Sequence, residues 1–161
     1  MADSELEIRV RYAETDQMGV AHHASYLVWF EAGRTELIRS RGRSYAQIEA
    51  DGWLLVVVEA RCRYVRPARY DDVLIIRTRV GALGRATLTF EYEVRRKANG
   101  DVLARGTTVH AAVDRTGRAR RIPEEIRCLL GGSIARPGLG RRAAGEESRA
   151  NRRTRGSRPT Q

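Results

Sequence analysis

Apolar and polar residues trade places with a period of two at the start of the chain. Leu6, Ile8 and Val10 alternate with Glu7, Arg9 and Arg11, which predicts a strand with one buried face. The period then lengthens. From Ala24 onward Tyr26, Leu27, Phe30, Gly33, Leu37 and Ile38 recur at spacings of three and four, one face of an amphipathic helix that ends near Gly42. Ser44 with Gln47 three residues on has the form of a capping box, opening a short second helix through about Ala50 that Gly52 stops.

Trp53 to Val58 is the longest strongly apolar piece and suits a buried strand. The pattern predicts strands from Leu54 to Val65, ended by Pro67, and from Val73 to Val80, followed by a turn at Gly81 to Gly84. Leu88, Phe90, Tyr92 and Val94 alternate with Thr89, Glu91, Glu93 and Arg95, the clearest one-faced strand in the chain. Asn99-Gly100 is a hairpin signal leading into a strand from Val102 to Val113, and Pro123 to Leu130 suits a last short helix. Strand, long helix, short helix and four closely connected strands give an α+β architecture in which a curved antiparallel sheet wraps a central helix. Edge strands and part of the helix then need cover, so a homodimer or a dimer of dimers is expected.

Composition narrows the picture. The 161 residues suit one domain large enough to stand without a metal or disulfide staple. Cys62 and Cys128 have no paired metal-ligand spacing and are expected to be buried thiols. The formal charge of +10 is uneven: residues 132–161 hold eight arginines against Glu146 and Glu147. That Arg/Gly-rich stretch is too poor in apolar residues to offset its ordering entropy and is expected to be a disordered tail behind a folded domain of residues 1–131. A solubilising role suits it better than nucleic-acid binding. No apolar run is long enough to cross a bilayer, so no membrane partner and a cytoplasmic location are expected.

Candidate chemistry is concentrated between Tyr12 and Glu36. Asp16 precedes a turn at Met18-Gly19, and His22-His23 stands where the helix begins. A helix start has free N–H groups and a partly positive end, suited to a carbonyl oxygen that gathers negative charge. Asp16 is a candidate nucleophile or base, although a solvated turn aspartate needs no such purpose. His22 and His23 are too few for a metal site unless Asp16, Glu31 or His110 joins them, and no metal is expected. His110 suits a hydrogen-bonded strand histidine. Glu59 interrupts an apolar strand and is either a surface carboxylate or a second catalytic one. Tyr12 and Tyr26 are candidate pocket walls, and Arg63, Arg66 and Arg69 are candidate phosphate contacts or plain surface charge.

The segment ETDQMGVAHHASYLVWFEAGRTELIRSRG resembles the opening signature of the 4-hydroxybenzoyl-CoA thioesterase-like branch of hotdog-fold acyl-CoA thioesterases, and VVVEARCRYVRPARYDD adds support. The similarity spans roughly Leu6 to Pro123. It implies a hotdog fold and hydrolysis of an acyl-CoA thioester without a cofactor, CoA being part of the substrate. It also implies an acyl cleft between subunits. The resemblance puts the catalytic aspartate at Asp16, the turn glycine at Gly19 and the carbonyl-polarising backbone N–H at His23. Met18 stands where many members have a small residue, and His22 where they have an aromatic one. A hydratase or dehydratase acting on an acyl thioester, and an acyl-CoA-binding protein without turnover, are the competing expectations.

Overall fold

The computed structural model describes residues 3–131. Strand β1 is Ser4–Arg9, and a single 3-10 turn at Tyr12–Glu14 leads toward helix α1, His23–Ser40. A short helix α2 spans Tyr45–Ala50, followed by strands β2 (Leu54–Tyr64), β3 (Val73–Leu83), β4 (Thr87–Arg96) and β5 (Val102–Val113). Helix α3, Glu124–Gly131, ends the described chain. The five strands form one sheet in the order β1-β3-β4-β5-β2, every neighbouring pair antiparallel. This is the hotdog arrangement, with α1 lying across the sheet.

Helix α1 buries Tyr26, Trp29, Phe30, Gly33, Leu37 and Ile38. The opposing layer comes from alternation in the strands: Leu88, Phe90, Tyr92 and Val94 of β4 are buried together with Leu74, Ile76 and Val80 of β3. Two glycines let helix and sheet approach. A Cβ on Gly33 would meet Thr78 Oγ1 at 2.5 Å and Ile76 at 3.0 Å, and one on Gly106 would collide with the Phe30 ring. Phe30 in turn stacks on Tyr92, ring centroids 4.3 Å apart. Transfer of such large side chains from water supplies most of the fold's driving force, about 1.5–3 kcal/mol each.

The solvent side of the sheet is a lattice of opposite charges. Arg77 reaches Glu5 at 2.7 Å, Arg105 reaches Glu93 at 2.9 Å, and Arg79 pairs with Glu91. Pairs this exposed add little stability, but they keep a flat sheet face soluble.

The capping box predicted at Ser44 is present: Ser44 Oγ accepts from Gln47 N at 3.2 Å, and Gln47 Oε1 accepts from Ser44 N at 2.7 Å. Two expectations are corrected. Strand β3 does not stop at Val80 but runs to Leu83 through an irregularity between Val80 and Ala82. Gly81 lies in that irregularity, and a Cβ there would lie 2.5 Å from Glu91 Oε1. Cys128 is exposed rather than buried, while Cys62 is half-buried. Residues 132–161, the expected tail, lie outside the described residues.

Strand β2 is unlike the others. It is an edge of the sheet, and Val56, Val57 and Val58 are exposed on both of its faces. Leu27 and Val28 of α1 are exposed as well.

Candidate active site

The loop between β1 and α1 is folded against the start of the helix. An isolated bridge between Thr15 and Ala21 closes it, and Ala21 N donates to Ala68 O at 2.8 Å. Inside the bridge, Asp16 N donates to Val20 O and Gly19 N to Asp16 O, both at 2.9 Å. Gly19 has φ of +72°, a left-handed conformation that glycine adopts without penalty. Asp16 Oδ1 accepts from Met18 N at 2.8 Å. Its other oxygen has no protein donor among the described residues.

His22 ends the loop as the N-cap of α1. Its backbone N–H donates to Glu14 O at 2.7 Å, and its Nδ1 accepts from Ala24 N at 3.2 Å. The cap therefore occupies the amide of Ala24. The amide of His23 is left with no protein acceptor among the described residues, as the first turn of a helix requires unless something else supplies one.

Two tyrosines fix the opposite wall. Tyr64, at the end of β2, donates its hydroxyl to His23 O at 3.0 Å. Tyr26 accepts from Ala68 N at 3.1 Å and meets Tyr64 edge to face, centroids 5.0 Å apart. Burial pushes the Tyr64 hydroxyl up to about 12, helped by its bond with Cys62, and burial also raises Tyr26. Both phenols thus stay neutral.

Between these walls is an open cavity of about 330 Å³ lined by Asp16, Met18, Val20, Ala21, His23, Tyr26, Tyr64, Val65, Arg66 and Pro67. Its lining includes Asp16, which keeps one carboxylate oxygen without a protein donor, and His23, whose helix-entry amide has no protein acceptor among the described residues, beside apolar walls. A larger hollow of about 650 Å³ lies on the outer sheet face among Arg61, Arg63, Arg77, Arg79 and Arg105 with Glu91 and Glu93. Ion pairs line it, and no helix end is among its lining residues.

The sequence candidates divide accordingly. Asp16, His23, Tyr26 and Arg66 line the cavity, and Gly19 shapes its turn. Arg66 is held by Asp101 at 2.5 Å, whereas Arg69 touches Gly19 O only at 3.5 Å. His22 caps the helix. Tyr12 is exposed and packs its ring against Tyr70, and Arg63 lines the outer hollow instead. Glu59 is on the edge strand, paired with Arg61 at 2.6 Å, and is not among the cavity's lining residues. His110 is buried, with Nε2 against Thr108 Oγ1 at 2.8 Å. Among the described residues no cluster of three or more His, Cys, Asp and Glu is assembled in metal-binding geometry.

Sequence reasoning missed Tyr64, Val65 and Pro67 as walls, and it missed Glu14. The strand-ending Val65-Arg66-Pro67 was a signal for the first group, because a chain that leaves a sheet edge there must pass the helix start.

Comparison with known proteins places this geometry in context. A profile of the thioesterase-like superfamily matches residues 10–130. The YneP protein of Bacillus subtilis is 38% identical over 112 residues, 70% of this chain and 80% of that protein. The acyl-CoA thioesterase YbgC of Haemophilus influenzae is 33% identical over 126 residues, 76% of this chain and 90% of that protein. A crystal structure of protein TT1821 from Thermus thermophilus superposes with a TM-score of 0.76 at 42% identity, covering 81% of this chain and 97% of that one.

Proposed function

The chain belongs to the thioesterase-like superfamily, and on that premise we propose that it hydrolyses an acyl-CoA thioester to a carboxylic acid and free CoA. The observation that carries the proposal is the pairing, in one cavity, of a carboxylate oxygen and a helix-entry amide that protein groups leave unused.

In this mechanism the thioester carbonyl oxygen accepts from His23 N–H. Negative charge gathers on that oxygen as the carbon is attacked, and the amide, backed by the helix end, favours the charged state over the ground state. Asp16 supplies the attack, either on the carbon itself or by taking a proton from a water. The C–S bond breaks, and the departing thiolate takes up a proton as free CoA; on the direct route a water then hydrolyses the acyl–Asp16 anhydride, releasing the carboxylic acid and restoring the carboxylate. A thiolate is a good leaving group, so neither metal nor redox cofactor is assigned a step. Tyr26, Met18 and Val20 contact the acyl portion, while Arg66 and Arg69 face the phosphates of the CoA arm.

The same reading makes the enzyme a homodimer. Val56, Val57 and Val58 expose apolar surface along a sheet edge that also presents unpaired backbone groups, and a second copy of the edge satisfies both. Residues 1–131 are the catalytic unit, and residues 132–161 are dispensable for turnover. Among the described residues no helix is long and apolar enough to cross a membrane.

A panel of saturated acyl-CoAs assayed for free thiol tests the reaction. Native protein should release CoA, and Asp16→Asn should lower turnover by about 10²–10⁴-fold. Equal turnover by the two proteins refutes the assignment of Asp16, and water addition to an enoyl-CoA without CoA release refutes the reaction. Val57→Asp should shift the native assembly toward monomer in sedimentation, and an unchanged assembly would count against the β2 interface.

A further inference from the structure

We propose that Glu14 is a positioning residue for this reaction, fastening the loop that carries Asp16 to the helix that carries the His23 amide. The inference rests on the thioesterase reading of the cavity. Glu14 is one of the few charged side chains buried in the described chain, 8% exposed, and both ends of the residue are committed. Its carboxylate accepts from Arg11 N at 2.8 Å, from Arg11 Nη2 at 2.9 Å and from Trp29 Nε1 at 3.1 Å. Its backbone oxygen accepts from His22 N at 2.7 Å and Ser25 Oγ at 3.2 Å.

The partners define the role. Trp29, His22 and Ser25 belong to α1 or its cap, and Trp29 is anchored in the core. Asp16 follows Glu14 by two residues, and His23 follows His22 by one. A single residue thus ties the attacking group and the oxyanion donor to one reference point. Burial works to raise the Glu14 carboxyl, but the bonds from Arg11 and Trp29 outweigh it and hold the group below its ordinary value, so it stays an acceptor for all three donors. A buried acid placed only for stability has no need to grip both sides of the loop. Glutamine at this position presents an NH₂ group to donors, and the grip loosens while the volume is kept.

Displacing a reacting group by about 1 Å costs up to about 100-fold in rate. Glu14→Gln is therefore expected to lower kcat by about 10- to 100-fold with KM within about 2-fold of native, measured by free-thiol release. Trp29→Phe, which removes the indole donor together with part of a buried ring system, should lower kcat in the same sense but less. Ile126→Ala in the distant α3 provides a destabilised control in which kcat is retained. Because Glu14 acts through Asp16 as well as through the His23 amide, adding Glu14→Gln to Asp16→Asn should cost less than it does in the native protein. A native kcat in Glu14→Gln overturns the inference, as does a multiplicative loss in the double variant. Should Glu14→Gln not fold, a native kcat in Trp29→Phe overturns it. These results leave the thioesterase reading standing, because that reading fails on a different result, a native protein that releases no CoA or that adds water to an enoyl-CoA without releasing it.

Discussion

Two polar clusters lie against α1, and they differ in what they leave unpaired. Under the middle of the helix, Tyr92 Oη meets Thr108 Oγ1 at 2.7 Å, Thr108 meets His110 Nε2 at 2.8 Å, and His110 Nδ1 faces Leu55 O at 3.5 Å. This chain is buried, and each of its polar atoms has a neighbour. At the helix entry, the Asp16 carboxylate and the His23 amide each keep an unused valence, and both residues line a cavity. Polar groups satisfied inside a core specify the packing; polar groups held rigid but unsatisfied at an opening are available to a substrate. Burial alone would have pointed to the other cluster.

The widest separation between the two should come from Asp16→Asn. Turnover is expected to fall by about 10²–10⁴-fold, while the denaturant midpoint stays near native because the residue is only half-buried at a turn. A large loss of stability would mean that the helix entry is as structural as the core cluster.

His110 should show the opposite behaviour. Burial, with the nearby Arg34 charge, brings its imidazole down to about 4 from an ordinary 6.5, against the opposing bond to Leu55 O. The unfolded chain therefore binds the extra proton first. Stability is complete above about pH 6.5 and declines as pH falls toward 4, by about 3 kcal/mol in all. Denaturant unfolding across that window should show the decline in native protein and a shallower one in His110→Gln. Parallel pH profiles for both proteins would contradict the neutral, buried histidine.

Thr108→Val keeps shape and removes the bridging hydroxyl, leaving Tyr92 Oη and His110 Nε2 unmatched. A cost of about 1–3 kcal/mol in unfolding free energy is expected, with kcat unchanged. Smaller still, Gly19→Ala places a side chain at φ of +72° where the nearest atom, from Arg69, is 4.0 Å away. The backbone penalty is about 1 kcal/mol, and kcat should respond more than thermal stability because the strain falls on the turn next to Asp16.

Much of this contrast was legible in the residue order. Alternating runs and, for β2, a continuous apolar run located the five strands, and the three-and-four spacing with His22-His23 ahead of it located α1 and its free end. Asp16 and His23 came from local order plus the resemblance, and both line the cavity. What escaped depends on partners distant in the chain. The Glu14 carboxylate is explained by Trp29, fifteen residues on, and the Tyr64 hydroxyl by His23 O, forty-one residues back. No local pattern encodes either bond. The extension of β3 past Gly81 has the same origin, since the space that Gly81 leaves is filled by Glu91 from the neighbouring strand. Cys128 was expected inside because thiols usually are, yet the exposed side of α3 carries it.

The most direct measurement is a crystal structure with a non-hydrolysable ketone analogue of an acyl-CoA. The account predicts the ketone oxygen about 2.7–3.1 Å from His23 N, with an Asp16 oxygen or its bound water facing the carbonyl carbon. A carbonyl oxygen bound by other donors, with Asp16 turned to solvent, would contradict it.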